Sequence, residues 1–191
     1  MRRITADHRL VPGDLARAAT VGSLLLGGAA LGGLAGALFL LVLGAGLVPR
    51  FLGLPAVLDL CFGACLLFAA WAALLRWYDA VPWLDLLVHA VCTGLVAAVG
   101  VLALIRWRVV TPQGRQRWAS AGVIVTTMGT GALGAVLWEF GEWAGHTFVD
   151  DEITVGYTDT VADLAFGLLG ALFAGVALAV RRPGRGSEDD C

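Results

Sequence analysis

The chain reads as an all-α protein, a polytopic transmembrane bundle of about five membrane-spanning helices, and three observations predict this. Of 191 residues, 59% are hydrophobic and only 15% charged, whereas a soluble domain is about 45–50% apolar and about 25% charged. The apolar residues gather into five runs over 18–48, 52–75, 83–105, 118–141 and 160–180, each near the roughly 20 residues that a helix needs to cross a bilayer core. Pro49, Pro55, Pro82, Pro112 and Pro183 stand at the ends of these runs, where a residue without an N–H is tolerated. This composition excludes an ordinary soluble enzyme.

Residues 1–17 form an N-terminal segment with Arg2, Arg3, Arg9 and Arg17, and the first run follows without a charge until Arg50. Basic residues ahead of an apolar run are the layout of a signal peptide, but this run is about twice the 7–15 residues of an h-region. It is therefore expected to stay as a span. Its Gly28, Gly32 and Gly36 recur every four residues and set a smooth strip on one helix face, where a second backbone fits closely. The second run holds only Asp59, the third Asp85 and His89, and the fifth Asp163. Glycines recur in the fourth and fifth runs (122, 129, 131, 134; 167, 170, 175). They predict tight packing, with homo-oligomerisation through such faces as a further use. Residues 18–180 thus make one helical domain, followed by a short charged tail, 181–191.

A charged side chain at membrane depth costs about 2.5–3.5 kcal/mol even on the lenient insertion scale and is a functional-site candidate by default. Three clusters qualify: Asp85 and His89 in WLDLLVHA, Glu139, Glu142 and His146 in WEFGEWAGH, and Asp159 and Asp163 in GYTDTVADL. Residues four apart on a helix lie about 40° apart around the axis, so each cluster faces one way. If the third span runs from face A to face B, the fourth returns to A and the fifth starts there. All three clusters then meet at face A.

Five carboxylates in one low-dielectric place cannot all stay ionised without compensation. Either protons are held or cations are bound. Carboxylate and imidazole ligands suit a divalent metal ion such as Mg²⁺, Mn²⁺, Zn²⁺ or iron. The candidate metal ligands are Asp85, His89, Glu139, Glu142, Asp159 and Asp163, with Glu139 or Glu142 as general base. His146 and Arg76 are possible accessory groups, Arg76 as neutraliser or phosphate anchor. Three bland alternatives stand beside this: Asp85 or Asp159 as a helix cap, His146 as an interfacial residue, and Arg76 as an interface anchor. The acidic run Asp150, Asp151, Glu152 reads as a solvated loop.

Other chemistry lacks its residues. The 13 basic residues are all Arg and the net charge is −2, so nucleic-acid binding has no electrostatic footprint. Cys61, Cys65, Cys92 and Cys191 form no CxxC pair and read as packing residues, Cys191 being left without a role. GxSxG, HExxH and P-loop patterns are missing. The Trp residues cluster at span ends, as an aromatic belt does.

The segments WLDLLVHAVCTG (83–94), LWEFGEWAG (137–145) and GYTDTVADLAFGLLGALFAG (156–175) resemble, in order and topology, the YjdF-like family of bacterial inner-membrane proteins. A more distant likeness is to VanZ-like proteins, linked as a family to glycopeptide-antibiotic resistance. Those typically carry Gln in place of Glu142 and an Arg and Asn around the last motif, which this chain lacks. The first resemblance implies a bacterial plasma-membrane location and supports the same six residues as a set. It implies no reaction.

The expected function is a metal-dependent hydrolase or transferase acting on a membrane lipid or lipid-linked phosphate. An ion- or proton-coupled transporter or relay is the alternative, and a structural membrane protein the third. Orientation stays divided. Five arginines fall on face A (2, 3, 9, 17, 76) and eight on face B (50, 106, 108, 115, 117, 181, 182, 185). The larger count favours a cytoplasmic face B, and the four N-terminal arginines oppose it. A tight hairpin within 18–49 would remove the conflict.

Overall fold

A computed structural model describes residues 10–110, 119–151, 153 and 155–180. Arg2, Arg3, Arg9, Arg115, Arg117, Pro112, Trp118, Glu152, the tail 181–191 and Cys191 lie outside the described residues. Seven helices are described, without a strand among them: α1 (Gly13–Leu31), α2 (Gly33–Leu52), α3 (Ala56–Leu74), α4 (Trp77–Ala80), α5 (Pro82–Arg106), α6 (Ala119–Phe148) and α7 (Tyr157–Val180). Five of them, α2, α3, α5, α6 and α7, are long and apolar enough to cross a membrane. The chain divides into two compact units, Met1–Trp71 and Ala72–Cys191.

In the first unit, the single span expected over 18–48 is two helices that pack on one another. The break is Gly32, at φ 92° and ψ −173°, a backbone region that is essentially glycine's alone. The glycine strip is folded onto itself: a Cβ on Gly28 would stand 3.4 Å from Gly36 Cα. Gly27 faces the Phe39 ring, and Arg17 reaches the carbonyl of Gly46. Those pairings run antiparallel. Phe39 is fully buried and its ring meets Trp71 at 5.0 Å, while Trp71 Nε1 donates to Ser23 Oγ at 3.0 Å. The hairpin is therefore packed against α3.

Asp59, the lone charge of its apolar run, has a partner. Arg17 Nη1 and Nη2 donate to its two carboxylate oxygens at 2.7 and 2.8 Å. Arg17 also donates from Nη1 to Gly46 O at 2.7 Å and from Nε to Asp14 Oδ1 at 3.0 Å, and Nη2 stands 2.9 Å from the same Asp14 oxygen. Four guanidinium N–H groups thus donate, with Asp14 as a further ionic partner of Nη2, which is how a buried arginine is compensated. The Asp59 bonds hold the Arg17 pKa above its ordinary value. The Val11 N–H, donating to Asp14 Oδ2 at 2.8 Å, holds that carboxyl below the usual range.

In the second unit, α5, α6 and α7 pack mutually. In lipid, helices gain little from the hydrophobic effect and associate through close van der Waals contact, which small residues permit. Gly170 sits against the Ala90 carbonyl so closely that no Cβ fits, and a Cβ on Gly94 would lie 2.8 Å from Gly170 O. Gly131 faces Ala97 and Ala171, Gly134 faces Val96, and Gly175 faces the Ile124 backbone. Pairs that rise together (89 with 163, 93 with 167, 94 with 170) make α5 and α7 parallel. Pairs that run oppositely, 96 with 134 and 100 with 130 between α5 and α6, and 131 with 171 and 124 with 175 between α6 and α7, make α6 antiparallel to both. The threading expected for the last three spans is the one found. α6 runs seven residues past the expected end at 141, to Phe148, because its polar stripe turns inward and needs no apolar continuation.

Candidate functional site

Pro82 at the first turn of α5 suits a position whose N–H has no intrahelical partner. The helix then sets Asp85 and His89 on one face. His89 Nε2 stands 3.5 Å from Asp85 Oδ1 and 3.8 Å from Asp163 Oδ2 on α7. The antiparallel return of α6 brings Glu139 and Glu142 to the same imidazole. Ligand atoms of Asp85, His89 and Asp163 all lie within 4.8 Å of one another, and so do those of His89, Glu139 and Glu142. His89 belongs to both groups.

Asp163 is only 2% exposed, yet its Oδ1 has no hydrogen-bond partner, and neither has Glu139 Oε1. These are the buried side-chain oxygens and nitrogens without a partner among the described residues. One falls in each ligand group. An orphaned buried acceptor costs about 1–3 kcal/mol, more if charged, so each calls for a proton, a water or a cation. Two oxygens opposite one another across an ion with bonds of about 2.0–2.2 Å stand about 4.0–4.4 Å apart. His89 Nε2 lies 3.5 and 3.8 Å from the Asp85 and Asp163 oxygens, within that reach.

The remaining expected residues stand apart. Asp159, in the first turn of α7, is exposed and belongs to neither group. His146 is half-buried, with Nδ1 2.8 Å from Ile153 O; a carbonyl only accepts, so Nδ1 carries the proton. With Gly145 beneath the Ile153 side chain, this bond fastens the turn after α6. Arg76 is exposed, and its Nε donates to Asp79 Oδ2 at 2.7 Å. Asp151 is exposed in the loop that follows α6.

The aromatic residues at this end of the second unit are exposed: Trp83, Trp138, Phe140, Trp143 and Tyr157. Rings at such positions suit a membrane–water interface. The threonines deeper in α6 are spent on their own helix: Thr126, Thr127 and Thr130 donate to Gly122 O, Val123 O and Thr126 O at 2.7–2.8 Å. The Arg17–Asp59 pair escaped the sequence reading, although an aspartate inside an apolar span signals a cationic partner.

Five helices fit to span a bilayer, with an inward-facing acidic and imidazole cluster at one end of three of them, define a multi-pass membrane protein. The chain belongs to the family described as "Predicted membrane protein (DUF2238)", whose model matches residues 20–184, and the likeness to YjdF-like proteins is consistent with that family. No curated protein and no solved structure matches it.

Proposed function

We propose that the cluster of Asp85, His89, Asp163, Glu139 and Glu142 binds divalent cation, and that the protein uses it on the phosphate of a lipid or lipid-linked substrate in a bacterial plasma membrane. The observation that carries this is the pair of orphaned buried oxygens, Glu139 Oε1 and Asp163 Oδ1, one in each His89-sharing group. A bound cation supplies charge for phosphate oxygens and an acidified water. Of Glu139 and Glu142, one holds the cation and the other takes the proton of the attacking water. The water oxygen forms the new P–O bond as the bond to the lipid alkoxide breaks, and the proton returns to that leaving oxygen. Exposed Trp138, Phe140 and Trp143 on α6 suit a substrate anchored at the interface. A proton or ion relay would need polar groups continuing down the bundle, and the α6 threonines are bonded to their own carbonyls.

The test is elemental mass spectrometry of detergent-purified protein after incubation with Mg²⁺, Mn²⁺, Zn²⁺ or Fe²⁺, beside the Glu139→Ala/Glu142→Ala variant. Near-stoichiometric metal in the first and none in the second supports the reading and leads to assays on phospholipid and polyprenyl-phosphate vesicles. A wild type that stays empty with every ion removes it.

A further inference from the structure

The arginines of the second unit are divided unequally between its two ends. The site end of α5, α6 and α7 is joined to Arg76 alone, which is already bonded to Asp79. The opposite end carries Arg106 and Arg108 at the close of α5. The sequence attaches Arg115 and Arg117 two to four residues before α6 begins, and Arg181, Arg182 and Arg185 within five residues after α7 ends. At no more than about 3.6 Å per residue, none of the seven can reach the other side of a bilayer core about 30 Å thick.

The N-terminal arginines lose one premise for opposing this count. They stood against it on the assumption that 18–48 crosses once. The chain instead turns back at Gly32, and Arg17 lies against Gly46 O and Asp59, with Asp14 within 3.9 Å of Arg50. In the first unit, Arg17 and Arg50 share one end.

We infer that the acidic site opens on the non-cytoplasmic side of the membrane, the arginine-bearing end of α5–α7 being cytoplasmic. The consequence for substrate class rests on the cation-site reading above. Soluble nucleotide donors are cytoplasmic, so the phosphate acted on at this face is carried by the lipid-linked substrate itself, and the reaction assigned is its hydrolysis. Water provides the incoming oxygen; the products are inorganic phosphate, or a phosphomonoester, and the freed lipid alcohol.

The experiment uses the full chain with Cys61, Cys65, Cys92 and Cys191 replaced by Ser. Single cysteines are introduced by Tyr157→Cys or Asp151→Cys at the site end, and by Trp107→Cys or Val109→Cys at the other. All four positions are exposed, Tyr157 at 87% and Trp107 at 65%. A membrane-impermeant maleimide is applied to spheroplasts and, separately, to permeabilised cells. Expected is labelling of the site-end pair in spheroplasts at least tenfold above the other pair, which reacts only after permeabilisation. The reverse pattern, or equal labelling in spheroplasts, overturns the assignment. Two positions at each end guard against one variant that fails to fold. Metal content of the same preparations separates the two readings. An outward-facing protein that binds no cation keeps the orientation and loses the proposed function, and a cation-loaded protein labelled from the wrong side does the opposite.

Discussion

Arg17 and Asp59, 42 residues apart in the chain, meet through two parallel hydrogen bonds of 2.7 and 2.8 Å with only 9% and 3% of their surfaces exposed. This pair joins the start of α1 to the start of α3. Gly13 makes room for it, since a Cβ there would run into the Asp59 carboxylate.

Breaking such a pair leaves one buried charge alone. Arg17→Met or Asp59→Leu is expected to cost about 3–5 kcal/mol, whereas the double variant recovers most of the loss. Thermal unfolding in detergent, followed through Trp fluorescence, measures both.

The α5–α7 contact admits no side chain at Gly170, which abuts the Ala90 carbonyl. Gly170→Ala therefore lowers the unfolding temperature. Gly129→Ala, at a helical position open on that side, leaves it unchanged or raises it, since alanine is favoured over glycine in a helix by about 1 kcal/mol. Equal effects at the two sites would show that the close approach does not matter.

Asp163→Asn keeps the shape of the side chain and removes its charge. The variant is expected to lose cation binding in a metal-content assay while its metal-free form melts no lower than the wild type, since a buried unpaired carboxylate is costly. A large drop in the metal-free melting temperature would make Asp163 a structural residue instead.

His146 and Asp159 stand outside the two ligand groups. His146→Ala and Asp159→Asn are each expected to retain at least half of the wild-type metal content. His146→Ala also frees the turn held through Ile153 O, which faster backbone hydrogen exchange at 149–151 would report.

Gly32→Ala places a Cβ on a backbone at φ 92°. The expected penalty is about 1–3 kcal/mol, read as a lower melting temperature. Gly33→Ala, next in the chain and within α2, serves as control.

The second unit was legible in the sequence because its signals are local. Asp85 and His89 share a face by helical spacing, and alternation of spans brings their end beside Glu139, Glu142 and Asp163. What stayed hidden depends on dihedral angles or distant pairing. An apolar run from 18 to 48 looks the same whether or not Gly32 takes φ 92°, and each of the three glycines expected to receive another helix was as good a place to turn. The partner of Asp59 lay across that turn. The hydropathy drop after Leu137 reads as the end of a span, although α6 continues to Phe148 with its carboxylates facing inward. Asp159 has the right helical spacing from Asp163, but at the first turn of α7 it falls outside the packed part of the bundle.

Seven residues beyond Asp163 on α7, about two turns or 10 Å along the axis, Gly170 rests on the Ala90 carbonyl of α5. Contact between two backbones is a hard stop rather than a spring, so α5 and α7 act mechanically as one strut. The gap between Asp85, His89 and Asp163 is then set from below, by atoms that carry no charge and touch no ligand. If the site takes a cation as proposed, that ion would meet a helix spacing fixed by backbone contact, and ionic radius would count before charge.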